Sequence, residues 1–239
     1  MPLYVYSITA KDHPLRLDGL DGVGSESSPL RTITAGPLCA IVSDIDEAVR
    51  PKRRDLTAHQ AVQERLMTDG TVLPLQFGYI APAERAVRAV LESDADSYLA
   101  TLERLEGCAE YHVRVSQADD APLLQQILED LPEARELNER IRGGDRDPGL
   151  PLALGEMVAH EVQARQETLA AGLAEALIPF SREHLTRPPS GSDFLNLSLL
   201  VPDEHKDSLR TAEANIAREI DSGIELRFSG PLPPYTFVQ

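Results

Sequence analysis

The sequence has little that would tie it to a membrane, a metal or a nucleic acid. No uninterrupted apolar run approaches the ~18 residues of a transmembrane helix. The opening MPLYVYSITAKD has no basic segment ahead of an apolar core, so no secretory leader is predicted either. Only two cysteines occur in 239 residues, Cys39 and Cys108, without CxxC spacing and inside apolar runs. They read as small buried hydrophobes in a reducing cytosol. A zinc site would need more ligands than any stretch supplies. Positive charge is also scarce: 23 Lys and Arg against 39 Asp and Glu leave a formal net charge of −16. That opposes a nucleic-acid partner, because non-specific affinity for polyanions comes from neutralised phosphates. The one basic run, Pro51-Lys52-Arg53-Arg54, precedes an expected helix and reads as solvated surface. The expectation is a soluble, cytoplasmic chain, long enough to bury a core without disulfide staples.

Catalytic signatures are missing as well. His160-Glu161 begins like HExxH, but Ala164 stands where the second histidine belongs. Gly19 to Gly24 (GLDGVG) has its glycines in the order G-x-x-G-x-G and leads into SESSP, which argues against a dinucleotide fingerprint. No G-x-x-x-x-G-K-[ST] occurs, and Ser190-Gly191-Ser192-Asp193 reads as a loop before a strand. Carboxylates mostly sit beside arginines at helical spacing, as in Glu103/Arg104 and Glu136/Arg140, the pattern of solvated helix faces. An enzyme would have to use His59 or His112 as a base with no visible nucleophile, so catalysis is not expected. No cofactor is implied.

What is present is an alternation of strand and helix signals. Leu3 to Ala10 (LYVYSITA) predicts a strand with Tyr4, Tyr6 and Ile8 on one face and Val5 and Ser7 on the other. The stretch LDGLDGVGSESSP predicts a loop, and Gly36-Pro37 the turn of a hairpin joining strands over 30–35 and 38–43. Asp55 to Met67 predicts a helix capped by Asp55, with Leu56, His59, Val62 and Leu66 on its apolar face. On that face His59 is expected to pack where helix meets sheet and to bind no metal. Thr71 to Ile80 is extended, with Pro74 demoting it to an edge or bulged strand. Helices over 82–91 and 96–105 and a strand over 109–116 follow. The sum is an α+β sandwich, an antiparallel or mixed sheet covered by helices.

Residues 119–149, polar helix-forming segments punctuated by Pro122, Pro132 and GGDRDPG, predict a helical connector, with one or two short helices, between two domains, 1–118 and 150–239. A long helix then carries Leu154, Met157, Val158, Val162, Leu169, Leu173 and Leu177 in a near-heptad stripe that Pro179 ends or kinks. Beyond it come a strand over 193–201, a helix over 202–220 and a short strand over 224–228. The tail GPLPPYTFVQ is stiff, apolar and aromatic. Gly230 supplies a turn, Pro231, Pro233 and Pro234 hold the tail near an extended conformation, and Tyr235, Phe237 and Val238 are expected to pack on the same chain.

Three stretches in register resemble the GvpF/GvpL family of gas vesicle proteins nearly end to end. They are LYVYSI with GLDGV and AGPLCAIVSDI; LTAHQAVQERLMTDGTVLPLQFGYI; and DFLNLSLLVPDEH leading to GPLPPYTFV. The most specific marks are the helix from His59 to Met67 running into VLPLQFG, and the final GP-x-PPY-x-FV. Candidate family-motif residues are therefore His59, Leu66, Pro74, Phe77, Gly78, Gly230, Pro231, Pro233, Pro234, Tyr235 and Phe237. Leu232 and Gln76 depart from the family pattern, which has tryptophan and a basic residue more commonly there. The resemblance implies two domains, the N-terminal one ferredoxin-like and the smaller C-terminal one α+β with a long helix. It also implies a non-enzymatic accessory or minor structural role: binding the hydrophobic major shell protein and other accessory vesicle proteins, with no nucleic acid or lipid membrane as partner. The rival from the residues alone is a scaffold or regulatory interaction module unconnected with vesicles, or a small α+β enzyme.

Overall fold

The computed structural model describes residues 1–24, 28–46 and 49–238. Part of the loop expected over 17–29, and the terminal Gln239 of the tail, lie outside them. The chain divides into two compact units. One is Met1–Tyr111 with Leu200–Asp203 and Gly230–Gln239; the other is His112–Leu199 with Glu204–Ser229.

The first unit is built on β1 (Leu3–Ala10), β2 (Arg31–Ala35) and β3 (Leu38–Asp44), with the two-residue strands β4 (Leu73–Pro74) and β5 (Ile80–Ala81). Strand order is β2-β3-β1-β4, and β5 also pairs with β1. Every one of these pairings is antiparallel. The expected hairpin is present, with Gly36-Pro37 between β2 and β3. Pro74 sits in a strand of two residues at the sheet's margin, where its missing N–H does little harm.

The faces of β1 differ from the simple alternation. The register runs Val5↔Val42 and then Ser7↔Ile41, so Tyr6 is an extra residue in a β-bulge. The bulge reverses the parity of everything after it. Ile8 therefore joins Leu3 and Val5 in the cluster under α2 (Glu84–Ser93) and α3 (Ala95–Leu105), while Tyr4 and Tyr6 face α1 (Arg53–Asp69). Both faces of the sheet are thus buried beneath helices.

Helix α1 starts two residues earlier than expected. Its N-cap is Lys52, and Asp55 lies in the first turn, buried, accepting the Gly24 N–H at 3.2 Å. The buried face is Asp55, His59, Val62, Gln63 and Leu66, whereas Leu56 is 43% exposed. His59, Val62 and Leu66 are buried as read from the sequence, and Asp55 and Gln63 join them in place of Leu56, because the Gly24 N–H in the loop and polar groups of Tyr6 and Ser7 on β1 give them partners.

The second unit holds the sheet β7-β8-β6-β9. Its strands are β6 (Cys108–Gln117), β7 (Glu183–Thr186), β8 (Asp193–Pro202) and β9 (Ile224–Leu232), and the division between units passes through β6, β8 and β9. Residues 119–149 do not form a contact-poor connector. They fold as α4 (Ala121–Asp130) and α5 (Pro132–Arg142), both packed on α6 (Gly149–Leu177), within the second unit. Pro122 and Pro132 fall in the first turns of these helices, where the missing N–H would be unpaired anyway. Helix α6 ends at Leu177, and Ile178–Phe180 tightens to a 3-10 turn at Pro179. After it, α7 (Lys206–Glu219) precedes β9, which runs to Leu232 and so absorbs Gly230 and Pro231 of the tail.

Candidate functional site

The motif residues of the sequence converge within the first unit. Tyr4 on β1 and His59 on α1 meet through Tyr4 Oη and His59 Nδ1 at 3.0 Å, and His59 Nε2 lies 3.0 Å from Tyr235 Oη on the tail. The N–H of Gly78 donates to Tyr4 Oη at 3.0 Å. With Gly78 donating to it, Tyr4 Oη still has its own proton to give to Nδ1, and in the tautomer that accepts it the imidazole carries its proton on Nε2, facing Tyr235. Gly78 takes φ +93°, a conformation glycine adopts without steric penalty. Phe77 closes the side, edge-on to Tyr4 at 5.8 Å and to His59 at 5.7 Å, while Tyr6 stacks on His59 at 5.8 Å.

Beneath this cluster the polar groups are satisfied locally. Gln63, one turn after His59, donates to the Tyr6 carbonyl at 2.6 Å and accepts from Ser7 Oγ. Leu75 N–H reaches the same Tyr6 carbonyl at 2.9 Å, which ties the segment after Pro74 to the bulge. Tyr6 Oη accepts the Val23 N–H at 2.7 Å and pairs with Ser43 Oγ at 2.9 Å. Leu66 is fully buried below.

The tail is seated by four residues in succession. Pro233 and Pro234 are buried, Tyr235 meets His59, Thr236 N–H donates to Glu110 Oε2 at 2.8 Å, and Phe237 enters the core with Leu91 and Leu105. Arg104 donates to the Phe237 carbonyl at 2.5 Å. The tail packs on its own chain, chiefly among N-terminal residues, with Leu200 of β8 in the same cluster as Phe237. Nor is it extended throughout: Tyr235 N–H bonds Pro233 O at 2.8 Å and Phe237 N–H bonds Pro234 O at 3.0 Å, so it curls after the prolines. The prolines set the entry, and the turn places Tyr235 and Phe237 on different partners. Tyr4, Tyr6, Gln63, Arg104 and Glu110 complete the site without having been singled out from the sequence.

Gly230 makes this path possible. Its φ is +145°, and a Cβ there would lie 2.5 Å from Tyr111 Cδ1 and 3.0 Å from Glu110 O. Gly230→Ala should destabilise the chain by about 1–3 kcal/mol through this overlap and loosen the tail. Thermal denaturation and the accessibility of Tyr235 to iodination check it; an unchanged midpoint would refute the close-packed entry.

The electrostatics of the cluster are those of a neutral core. Burial pushes the His59 pKa down from 6.5 to about 4 and that of Tyr235 up to about 12, and it raises Tyr4 and Tyr6 as well. At neutral pH the imidazole and the three phenols are uncharged, and both ring nitrogens of His59 are engaged. The arrangement holds backbone and tail in place; it offers neither an activated nucleophile nor a free base. Among the described residues, no group of three or more His, Cys, Asp or Glu gathers to hold a metal.

A second feature of the first unit faces solvent. Tyr79, Ile80 and Val90 are 51%, 41% and 38% exposed and border an apolar cavity of about 150 Å³ that reaches Val5, Ala40 and Leu91. Large apolar side chains clustered at the surface mark contact sites more often than singly scattered ones do. No helix among the described residues is long and apolar enough to cross a membrane.

Comparison with known proteins gives one consistent answer. Gas vesicle protein F of Streptomyces sp. (strain CB03234) is 39% identical over 242 residues, covering 100% of both chains. Gas vesicle protein L of the same organism is 33% identical over 57% of this chain and 55% of its own. The fold matches the crystal structure of the gas vesicle protein GvpF from Anabaena sp. PCC7120, with a TM-score of 0.84 at 21% identity, over 100% of this chain and 98% of the other. It also matches that of GvpF from Microcystis aeruginosa, with a TM-score of 0.79 at 22% identity, over 100% and 99%. The family described as gas vesicle synthesis protein GvpL/GvpF matches residues 2–239, and the chain belongs to that family.

Proposed function

We propose that this protein is a non-enzymatic accessory or minor structural component of the gas vesicle, which binds the hydrophobic major shell protein and other accessory vesicle proteins and assists assembly. The observation that carries the reading is the family match along residues 2–239. The physical features fit the task. A hydrophobic shell subunit must be kept from self-association until it enters the wall, and a soluble partner with an apolar contact surface and a formal charge of −16 disperses such complexes by like-charge repulsion. The Tyr79, Ile80 and Val90 patch is the apolar surface that suits this role. The protein would work in the cytoplasm and at the vesicle.

Co-expression with the major shell protein and affinity capture tests the reading. Capture should survive from low to moderate salt, because exposed charge pairs are screened beyond ~8 Å at physiological ionic strength while apolar contact is not. The double variant Ile80→Lys with Val90→Glu should abolish it. Capture that collapses with salt and ignores that double variant would show the contact to be electrostatic and located elsewhere.

A further inference from the structure

The cavity behind Tyr79, Ile80 and Val90 has a chemistry of its own. Its floor is the first sheet, at Val5, Ile8 and Ala40, and one wall is Val87 and Leu91 of α2. All five of these side chains are buried. Native interiors keep few voids larger than a water molecule, so an opening of about 150 Å³ against the sheet needs a cause. Small side chains supply it. Ala40 on β3, Ala81 on β5 and Ala86 on α2 all line the space, and a larger residue at any of them would take up part of it.

The walls are tied down separately, which keeps them apart. Helix α2 is held to β2 and β3 through Arg31, which bridges Asp44 and Glu84 at 3.1 Å each. Arg88 adds a bond to the Thr34 carbonyl at 2.5 Å. Strand β5 is held to β1 by the pairings Leu3↔Ala81 and Tyr4↔Ile80, and the Val5 N–H donates to the Tyr79 carbonyl at 3.0 Å. Moving α2 and β5 together would disturb one set of bonds or the other.

No charged or amide side chain lines the cavity, and the polar atoms of its side chains are the hydroxyls of Tyr79 and Tyr98. A held water needs about two to four polar partners, and these side chains give it few. A charged ligand would lose its hydration without replacement. A dry apolar cavity of roughly this volume takes a guest the size of benzene or xenon. The exposed residues Tyr79, Ile80 and Val90 border the opening, so a guest can enter without unfolding the chain.

We infer that this cavity is a binding site for a small uncharged apolar molecule of about the size of benzene. The guest lies on Val5, Ala40 and Leu91, with Ala86 and Val87 beside it. The inference goes beyond the shell-binding reading, because the chain alone suffices for it, without a partner.

The test uses the full chain and benzene itself. Benzene should raise the thermal midpoint saturably, by about 2–4 °C at about five times its Kd, because a ligand of the folded state stabilises it. A solvent acting on the unfolded chain would lower the midpoint instead. Ala86→Leu, which fills the cavity, should abolish the rise. Ala89→Leu, on the exposed face of the same helix and outside the lining, should keep it. Benzoate and benzylammonium, rings of similar size that carry charge, should give no rise with the wild-type chain. That arm keeps the test decisive if Ala86→Leu impairs folding. No saturable rise with benzene, an equal rise with the charged rings, or a rise that survives Ala86→Leu would each overturn the proposal.

Discussion

Replacing Phe237 by alanine should destabilise the protein by about 3–5 kcal/mol, the usual cost of emptying a large aromatic site in a core. The ring is 6% exposed and belongs to the cluster that contains Val87, Leu91 and Leu105. Strands and helices fix the backbone of that surround, so it closes only partly over the space left behind. Removing residues 231–239 should lower stability further. It also takes the Thr236 N–H from the fully buried Glu110 and the Tyr235 hydroxyl from His59. The excess over Phe237→Ala will be smaller than the sum of those bonds, because ordering the tail costs roughly 1–2 kcal/mol of backbone entropy per residue. Urea titration of the two variants measures both effects. A truncated chain as stable as the parent, but no longer capturing its partner, would make the tail a docking peptide instead of part of the core.

The residues that carry this seat were legible in the sequence to different degrees, and for physical reasons. His59, Tyr235 and Phe237 announced themselves through unusual local chemistry, a histidine on an apolar helix face and an aromatic tail braced by prolines, whereas Phe77 and Gly78 came only with the family motif VLPLQFG. Glu110 gave no such signal. Alternation along AEYHVRVS places Glu110 with His112 and Arg114 on the polar face, yet it is fully buried, because the tail 126 residues later lies over it. A covering segment that distant leaves no periodicity behind. The bulge at Tyr6 was equally silent. Period-two reading put Ile8 with Tyr4 and Tyr6, and only the pairing with β3 shows the slip. One or two short helices were expected over 119–149, but as parts of a connector, because Pro122 and Pro132 were read as punctuation, whereas they stand in the first turns of helices packed on α6. Element types followed local pattern; the division of the chain depended on which surfaces meet, and pattern does not encode that.

Acidification from pH 7 to 4 should cost the wild-type protein up to about 3 kcal/mol more than it costs the His59→Gln variant. Burial depresses the His59 pKa from 6.5 to about 4. A histidine depressed in this way makes the unfolded chain bind more protons than the folded one between those values. Stability therefore rises with pH across that window, is fully present above about 6.5, and is lost as the pH falls through 4. At about 1.4 kcal/mol per pH unit the window corresponds to the figure given. The geometry explains the reluctance to protonate. Nδ1 accepts from Tyr4, whose oxygen already receives the Gly78 N–H, and a proton added there would leave the Tyr4 hydroxyl without its acceptor in a site closed by Phe77. Glutamine can keep one of these bonds but does not titrate, so His59→Gln should lose about 1–3 kcal/mol at pH 7 and then show a flatter profile. The 39 acidic residues contribute to both curves, and the difference between them isolates the histidine. Parallel profiles would mean that the imidazole is solvated or already paired with a charge. A divergence confined to the window would identify the ring as a neutral strut between β1, α1 and the tail, which is the role its two phenol contacts define.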